Sequence, residues 1–124
     1  MARKKILLVD DEEDIIKMNM LRLSESNYHV ISASDGKDGI EKAEKETPDL
    51  ILLDVVMPGM DGLETLTRLK SNPRTSHIPV IMLSGVGQKT ALDKALSSGA
   101  IDFIDKPFNG EMLMEAIKKN LPAA

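Results

Sequence analysis

Five polar residues of the chain have the chemistry to handle a phosphoryl group: Asp10, Asp11, Asp54, Ser84 and Lys106. Each sits at the end of a short apolar run. ILLV leads into Asp10 and Asp11, LILL into Asp54, VIML into Ser84, and DFID into Lys106. Adjacent carboxylates repel unless a cation lies between them, and hard oxygen ligands in a chain without cysteine favour Mg²⁺ over softer metals. A carboxylate such as Asp54 can attack phosphorus and become an aspartyl phosphate. A cation beside it offsets the repulsion of the incoming group. The Lys106 ammonium and the Ser84 hydroxyl suit two oxygens of that group.

Taken singly, each residue has an ordinary explanation. Asp10 and Asp11 can simply mark a helix start, where carboxylates are favoured. Asp54 can open the turn-rich stretch from Val55 to Gly62, and a lone lysine is usually solvated. Their shared placement after apolar runs argues for the joint reading, because such runs, separated by helical stretches, mark strands buried on both faces of a parallel sheet. Polar residues at the carboxyl ends of neighbouring strands then meet in one crevice.

The elements that must position these residues alternate regularly. Strands are expected at Lys5–Val9, His29–Ala33, Leu50–Leu53, Val80–Leu83 and Phe103–Ile104. Helices are expected at Glu13–Ser26, Gly36–Glu46, Gly62–Ser71, Lys89–Ser98 and Glu111–Leu121. Asp11, Asp35, Asp61 and Asn109 stand where N-caps belong. Leu63, Leu66 and Leu69 follow at helical spacing, as do Leu113, Ala116 and Ile117, and Ile40 shares a face with Ala43. Pro48, Pro79 and Pro107 punctuate connections, and the Lys106–Pro107 bond can be cis. Right-handed crossovers turn such a chain into an α/β, doubly wound, five-stranded parallel sheet with five helices, of order 2-1-3-4-5. Its switch point falls between the first and third strands, which carry Asp10, Asp11 and Asp54.

The bulk properties narrow the function. The chain has 124 residues with a net charge of -4, so no positive field invites nucleic acid or anionic lipid. Aromatics make up 2%, too few for a base-stacking surface. Without cysteine there are no disulfides and no thiolate-bound metal. The apolar run behind Met1–Lys5 is only four residues long, too short for a signal peptide or a membrane span, so the cytoplasm is the expected location. The eight methionines are read as core filling, and His29 and His77 share no ligand spacing. Ser84–Thr90 superficially matches a phosphate loop, but Gln88 stands where the Walker pattern needs glycine, and Leu83 where the motif must begin with one.

ILLVDDEED, LILLDVVMPGMDG, VIMLSG and DFIDKPF, in this order and spacing, resemble the receiver domain of two-component response regulators, a flavodoxin-like fold. The resemblance covers residues 1–124 as a single domain. It implies that Asp54 is the phosphoacceptor, with a sensor histidine kinase or a histidine phosphotransfer protein as donor. Asp10, Asp11, Asp54 and the backbone carbonyl of Val56 would hold Mg²⁺, Lys106 would contact the phosphoryl group, and Ser84 would be the switch hydroxyl. Phe103 takes the switch-aromatic position, where any switching works through packing because phenylalanine has no hydroxyl. The domain would catalyse only its own phosphorylation and dephosphorylation. Val56 and Val86 fall where the family flanks the attacking water, and neither can orient it, so a long-lived phosphorylated state is expected.

Two rival readings remain. A degenerate receiver keeps the fold as a phosphorylation-independent interaction module, against which stands the full set of five residues. A phosphatase of the haloacid-dehalogenase type needs a second aspartate two residues after the nucleophile, where this chain has Val56. No DNA-binding or catalytic output motif follows the receiver pattern. The chain therefore reads as a stand-alone regulator acting on a downstream partner, or as one domain of a longer protein.

Overall fold

The computed structural model describes residues 3–57 and 59–121. Ten elements alternate: β1 (Lys5–Val9), α1 (Glu13–Glu25), β2 (His29–Ala33), α2 (Gly36–Glu46), β3 (Leu50–Asp54), α3 (Gly62–Ser71), β4 (Val80–Ser84), α4 (Lys89–Ser97), β5 (Asp102–Asp105) and α5 (Gly110–Asn120). The strands form one parallel sheet in the order β2-β1-β3-β4-β5, as the alternation predicts.

Successive side chains of a strand point to opposite faces, so each apolar run supplies two cores at once. Leu7, Val9, Ile51, Leu53, Val80 and Met82 face α2, α3 and α4, where Ala43, Leu66, Leu69, Leu92 and Ala95 cover them. Ile6, Leu8, Leu50, Leu52, Ile81 and Leu83 face the other way, beneath Ile16 and Leu23 of α1 and Leu113 and Ile117 of α5. All five residues of β3 and of β4 are buried, which explains why these runs show no polar alternation. Among the methionines, Met57 and Met82 fill the core, but Met18 and Met112 are exposed, so core filling holds for only part of the set.

The caps of three helices match expectation. The side chains of Asp35, Asp61 and Asn109 accept hydrogen bonds from the backbone N–H groups of Asp38, Glu64 and Met112. The first helix differs. Its N-cap is Glu12, which makes no side-chain capping bond, and Asp11 does not cap it. Asp10 Oδ1 instead accepts from the Glu12 N–H at 3.0 Å, so the residue that steers the chain into α1 is the one at the end of β1. Strands β3 and β4 each run one residue further than expected, and Asp54 and Ser84 are their last residues rather than the first beyond them. Their backbones are thus held by the ladder, which places their side chains more firmly than a loop would. The Lys106–Pro107 bond is cis. Pro58 and the Pro122–Ala124 tail lie outside the described residues.

Candidate functional site

The switch point of the sheet lies between β1 and β3, and the chemistry collects there. Asp10 follows β1 and is fully buried, while Asp54 and Ser84, ending β3 and β4, are each 3% exposed. Lys106 follows β5 and reaches across two strands. Its Nζ lies 3.1 Å from Asp54 Oδ2, 3.4 Å from Asp10 Oδ2 and 3.9 Å from Glu12 Oε1. Residues 44 and 96 positions away from Asp10 in sequence therefore share its pocket, through a parallel register that pairs Val9 with Leu53 and Asp54 with Leu83.

The loop after β3 is shaped by close approach. The Gly62 N–H donates to the Val55 carbonyl at 2.9 Å, and a Cβ at Gly62 would collide with the carbonyl oxygens of Asp54 and Val55. Only glycine lets the start of α3 lie this close to the end of β3. The same loop leaves Val56 half exposed, while Val86 beyond β4 is almost fully exposed. In the β4–α4 loop, Gln88 Oε1 accepts from the Gly85 N–H at 2.7 Å. That amide is spent inside its own loop, in keeping with the rejection of this segment as a nucleotide-phosphate cradle.

The electrostatics are strained. Two buried carboxylates face one ammonium. Burial and the neighbouring Asp10 charge raise the Asp54 carboxyl, against the opposing pull of Lys106, and the result is pushed up to about 7. Burial alone would lower the Lys106 ammonium, but Asp54 and Asp10 outweigh it and its pKa is raised. The lysine stays charged and the pocket keeps an excess of negative charge.

Oxygens of Asp10, Asp11 and Glu12 all lie within 4.8 Å of one another. This donor set is all hard oxygen and carries more anionic charge than Lys106 can neutralise, which fits a small divalent cation such as Mg²⁺. Asp54 joins the trio through Asp10 and Lys106. Glu12 is a site residue that sequence reasoning misses. Its only signal is its place directly after the Asp pair, and the ordinary enrichment of acids at helix starts conceals it. Phe103 lies on β5, 40% exposed, away from this cluster of charges.

A parallel sheet with this strand order and an acid-lysine pocket at its switch point defines a class, and comparison with known proteins agrees. The sequence model of the response regulator receiver domain matches residues 6–118. The chain belongs to the response regulator receiver domain family. It is 39% identical over 114 residues to the response regulator PleD of Caulobacter vibrioides, covering 92% of this chain and 25% of that protein. It is 40% identical over 115 residues to the alkaline phosphatase synthesis transcriptional regulatory protein PhoP of Bacillus subtilis, covering 93% of this chain and 47% of that one. The chain thus spans between a quarter and about half of these relatives. Among solved structures, the chemotaxis protein CheY4 of Vibrio cholerae superposes with a TM-score of 0.91 at 32% identity, covering 97% of this chain and 100% of that chain. Domains of this family are phosphorylation-dependent signalling modules that work with histidine kinases or phosphotransfer proteins, and they bind Mg²⁺ at an acidic pocket. No described helix is long and apolar enough to cross a membrane.

Proposed function

We propose that Asp54 accepts a phosphoryl group from a sensor histidine kinase or a histidine phosphotransfer protein. The acquired charge then alters binding to a downstream protein, or to an output domain of the same polypeptide. The observation that carries this reading is the Lys106 ammonium held between Asp54 and Asp10, at 3.1 and 3.4 Å. A buried carboxylate at a strand end, with a cation beside it, is arranged for attack on an electrophile already rich in oxygen.

Asp54 Oδ attacks phosphorus as the bond from phosphorus to the donor imidazole breaks, which leaves an acyl phosphate on this chain. Lys106 is already within reach of Asp54 and takes one phosphoryl oxygen by a charge-assisted hydrogen bond. The Ser84 hydroxyl, at the end of the adjacent strand, donates to another. Asp10, Asp11, Asp54 and the Val56 carbonyl would hold Mg²⁺, with Glu12 beside them. When bound, the ion supplies positive charge that offsets repulsion between the carboxylates and the entering group.

Moving Ser84 toward the phosphoryl group opens space that Phe103, now facing outward, can turn to fill. This couples the site to the surface of α4, β5 and α5. Hydrolysis of the acyl phosphate returns the domain to its starting state without turnover of other substrates. The reaction takes place in the cytoplasm, and residues 1–124 act as one receiver domain. No nucleic acid contact is part of this reading, since the net charge of -4 offers no field for one.

Labelling with a small acyl phosphate tests this directly. Parent protein should gain one phosphoryl group in the presence of Mg²⁺, and Asp54→Ala should gain none. Labelling of neither would move the protein to the degenerate-receiver reading, and equal labelling of both would place the acceptor at a residue other than Asp54.

A further inference from the structure

One side chain ties down the loop from β4 to α4. Gly85 directly follows Ser84, and Gly85, Val86, Gly87 and Gln88 form a tight turn in which the Gln88 N–H donates to the Gly85 carbonyl at 3.3 Å. Gly87, in third place, has φ +74° no more than its turn asks: its value is +80°, the positive angle that a type II turn demands there. The turn brings Gln88 back over Gly85, and Gln88 Oε1 closes the ring by accepting from the Gly85 N–H at 2.7 Å. The carboxamide packs against the bare Cα of Gly85, where an added Cβ would meet Oε1, Cδ and Nε2 at 3.4, 3.5 and 3.5 Å.

Glutamine is a poor choice for the place Gln88 holds in the helix. It is the N-cap residue of α4 and makes no side-chain capping bond. Serine, threonine, aspartate and asparagine are the residues that cap a helix well. The Gln88 side chain is thus committed to the loop beside Ser84 and not to α4. As a result, the peptide unit joining Ser84 to Gly85 is held at both ends. Its carbonyl accepts from the Lys106 N–H at 2.6 Å, and its N–H donates to Gln88. Carrying Ser84 toward a phosphoryl group on Asp54 moves this peptide unit, and the Gln88 bond resists the movement.

We infer that Gln88 is a positioning residue that latches the resting state, its Oε1 holding the Gly85 amide until Ser84 moves toward the phosphoryl group. The inference deepens the reading of Asp54 as phosphoacceptor and rests on it. One neutral hydrogen bond shifts an equilibrium by about two- to tenfold. The apparent rate of phosphorylation scales with the fraction of molecules whose Ser84 is already placed to engage. Opening the latch raises that fraction, and so the rate, by the same factor.

Two variants of the full chain separate a latch from ordinary support of the loop. Gln88→Ser removes the carboxamide and gives α4 a preferred cap, whereas Gln88→Glu keeps an acceptor oxygen at the same reach. The measurements are the initial rate of Asp54 phosphorylation by acetyl phosphate with Mg²⁺, NMR amide exchange at Gly85 in the unphosphorylated protein, and the thermal midpoint. Gln88→Ser should react about two- to tenfold faster and exchange the Gly85 N–H faster by a similar factor, with a midpoint no lower than the parent's. Gln88→Glu should keep the Gly85 amide protected and react no faster than the parent. With a parent that is labelled, a Gln88→Ser variant reacting at the parental rate or below would overturn the latch alone. So would equal acceleration by Gln88→Glu, or acceleration accompanied by a fall in midpoint. A parent that takes no phosphoryl group at Asp54 would overturn the phosphoacceptor reading and the latch together.

Discussion

Replacing Asp54 by asparagine should stabilise the metal-free protein, although it removes the phosphoacceptor. An ordinary aspartate titrates near 3.8, whereas Asp54 is pushed up to about 7 by burial and by Asp10. A displacement of that size corresponds to roughly 4 kcal/mol of opposition between the ionised carboxylate and its surroundings. The amide keeps the shape of the side chain and discards the charge. Lys106 is not stranded by the change, because Asp10 remains 3.4 Å away and Glu12 3.9 Å away. A buried site with two anions and one cation becomes a matched pair. Allowing for the lost Lys106–Asp54 contact, the net gain at neutral pH is about 2–3 kcal/mol.

The sign of the pH dependence follows. The folded-state pKa of Asp54 lies above the unfolded value, so the folded protein holds its proton more tightly and is favoured at low pH. That contribution is complete below about 3.8 and is lost as pH rises toward about 7. Urea unfolding in the presence of a chelator, from about pH 4 to about pH 8, should show the parent losing stability relative to Asp54→Asn across this window, with the two curves converging at its acid end. A variant less stable than the parent at the alkaline end would refute the reasoning, as would a constant gap at every pH. Either result would mean that Lys106 fully neutralises Asp54 in the folded state.

Three further outcomes follow from the same geometry. Mg²⁺ should raise the thermal midpoint of the parent and a chelator should reverse it, while Asp10→Asn should abolish most of the rise, read by scanning calorimetry with and without the ion. Val56→Asn combined with Val86→Glu should speed loss of phosphate from the acyl-phosphate form by about tenfold, because polar groups in place of the two exposed valines can orient water. Radiolabel retention measures this, and an unchanged rate would count against a water-positioning role for those sites. Gly62→Ala should cost roughly 2–4 kcal/mol in urea unfolding, since the new methyl group drives α3 away from the Asp54 and Val55 carbonyls. It should also slow phosphorylation by displacing Asp54.

The receiver pattern was readable in the chain because its strands are buried on both faces. ILLV, LILL and VIML carry no polar alternation, and that lack itself signals a covered parallel sheet. Asp35, Asp61 and Asn109 could be placed as caps because capping is a local interaction between a side chain and an amide three residues on. Asp11 could not be separated from its neighbours this way, since any acid in Asp10–Asp14 is a plausible cap and the choice fell to how β1 enters α1.

What the amino-acid order determined by itself was the kind of chemistry: three aspartates, a serine and a lysine after apolar runs, in a chain with no thiol to offer a softer metal. What the tertiary structure alone decided was which of these groups touch and what that contact does to them. Lys106 reaches Asp10 and Asp54 only because β1, β3, β4 and β5 lie side by side in register. Glu12 enters the acidic cluster through the local turn from β1 into α1, whereas Asn19 and Arg22 line a second cavity only once α1 is laid beside the loops beyond β4 and β5. Local sequence encodes propensities and partial charges. Desolvation, and the distance between charges remote in the chain, exist only after folding.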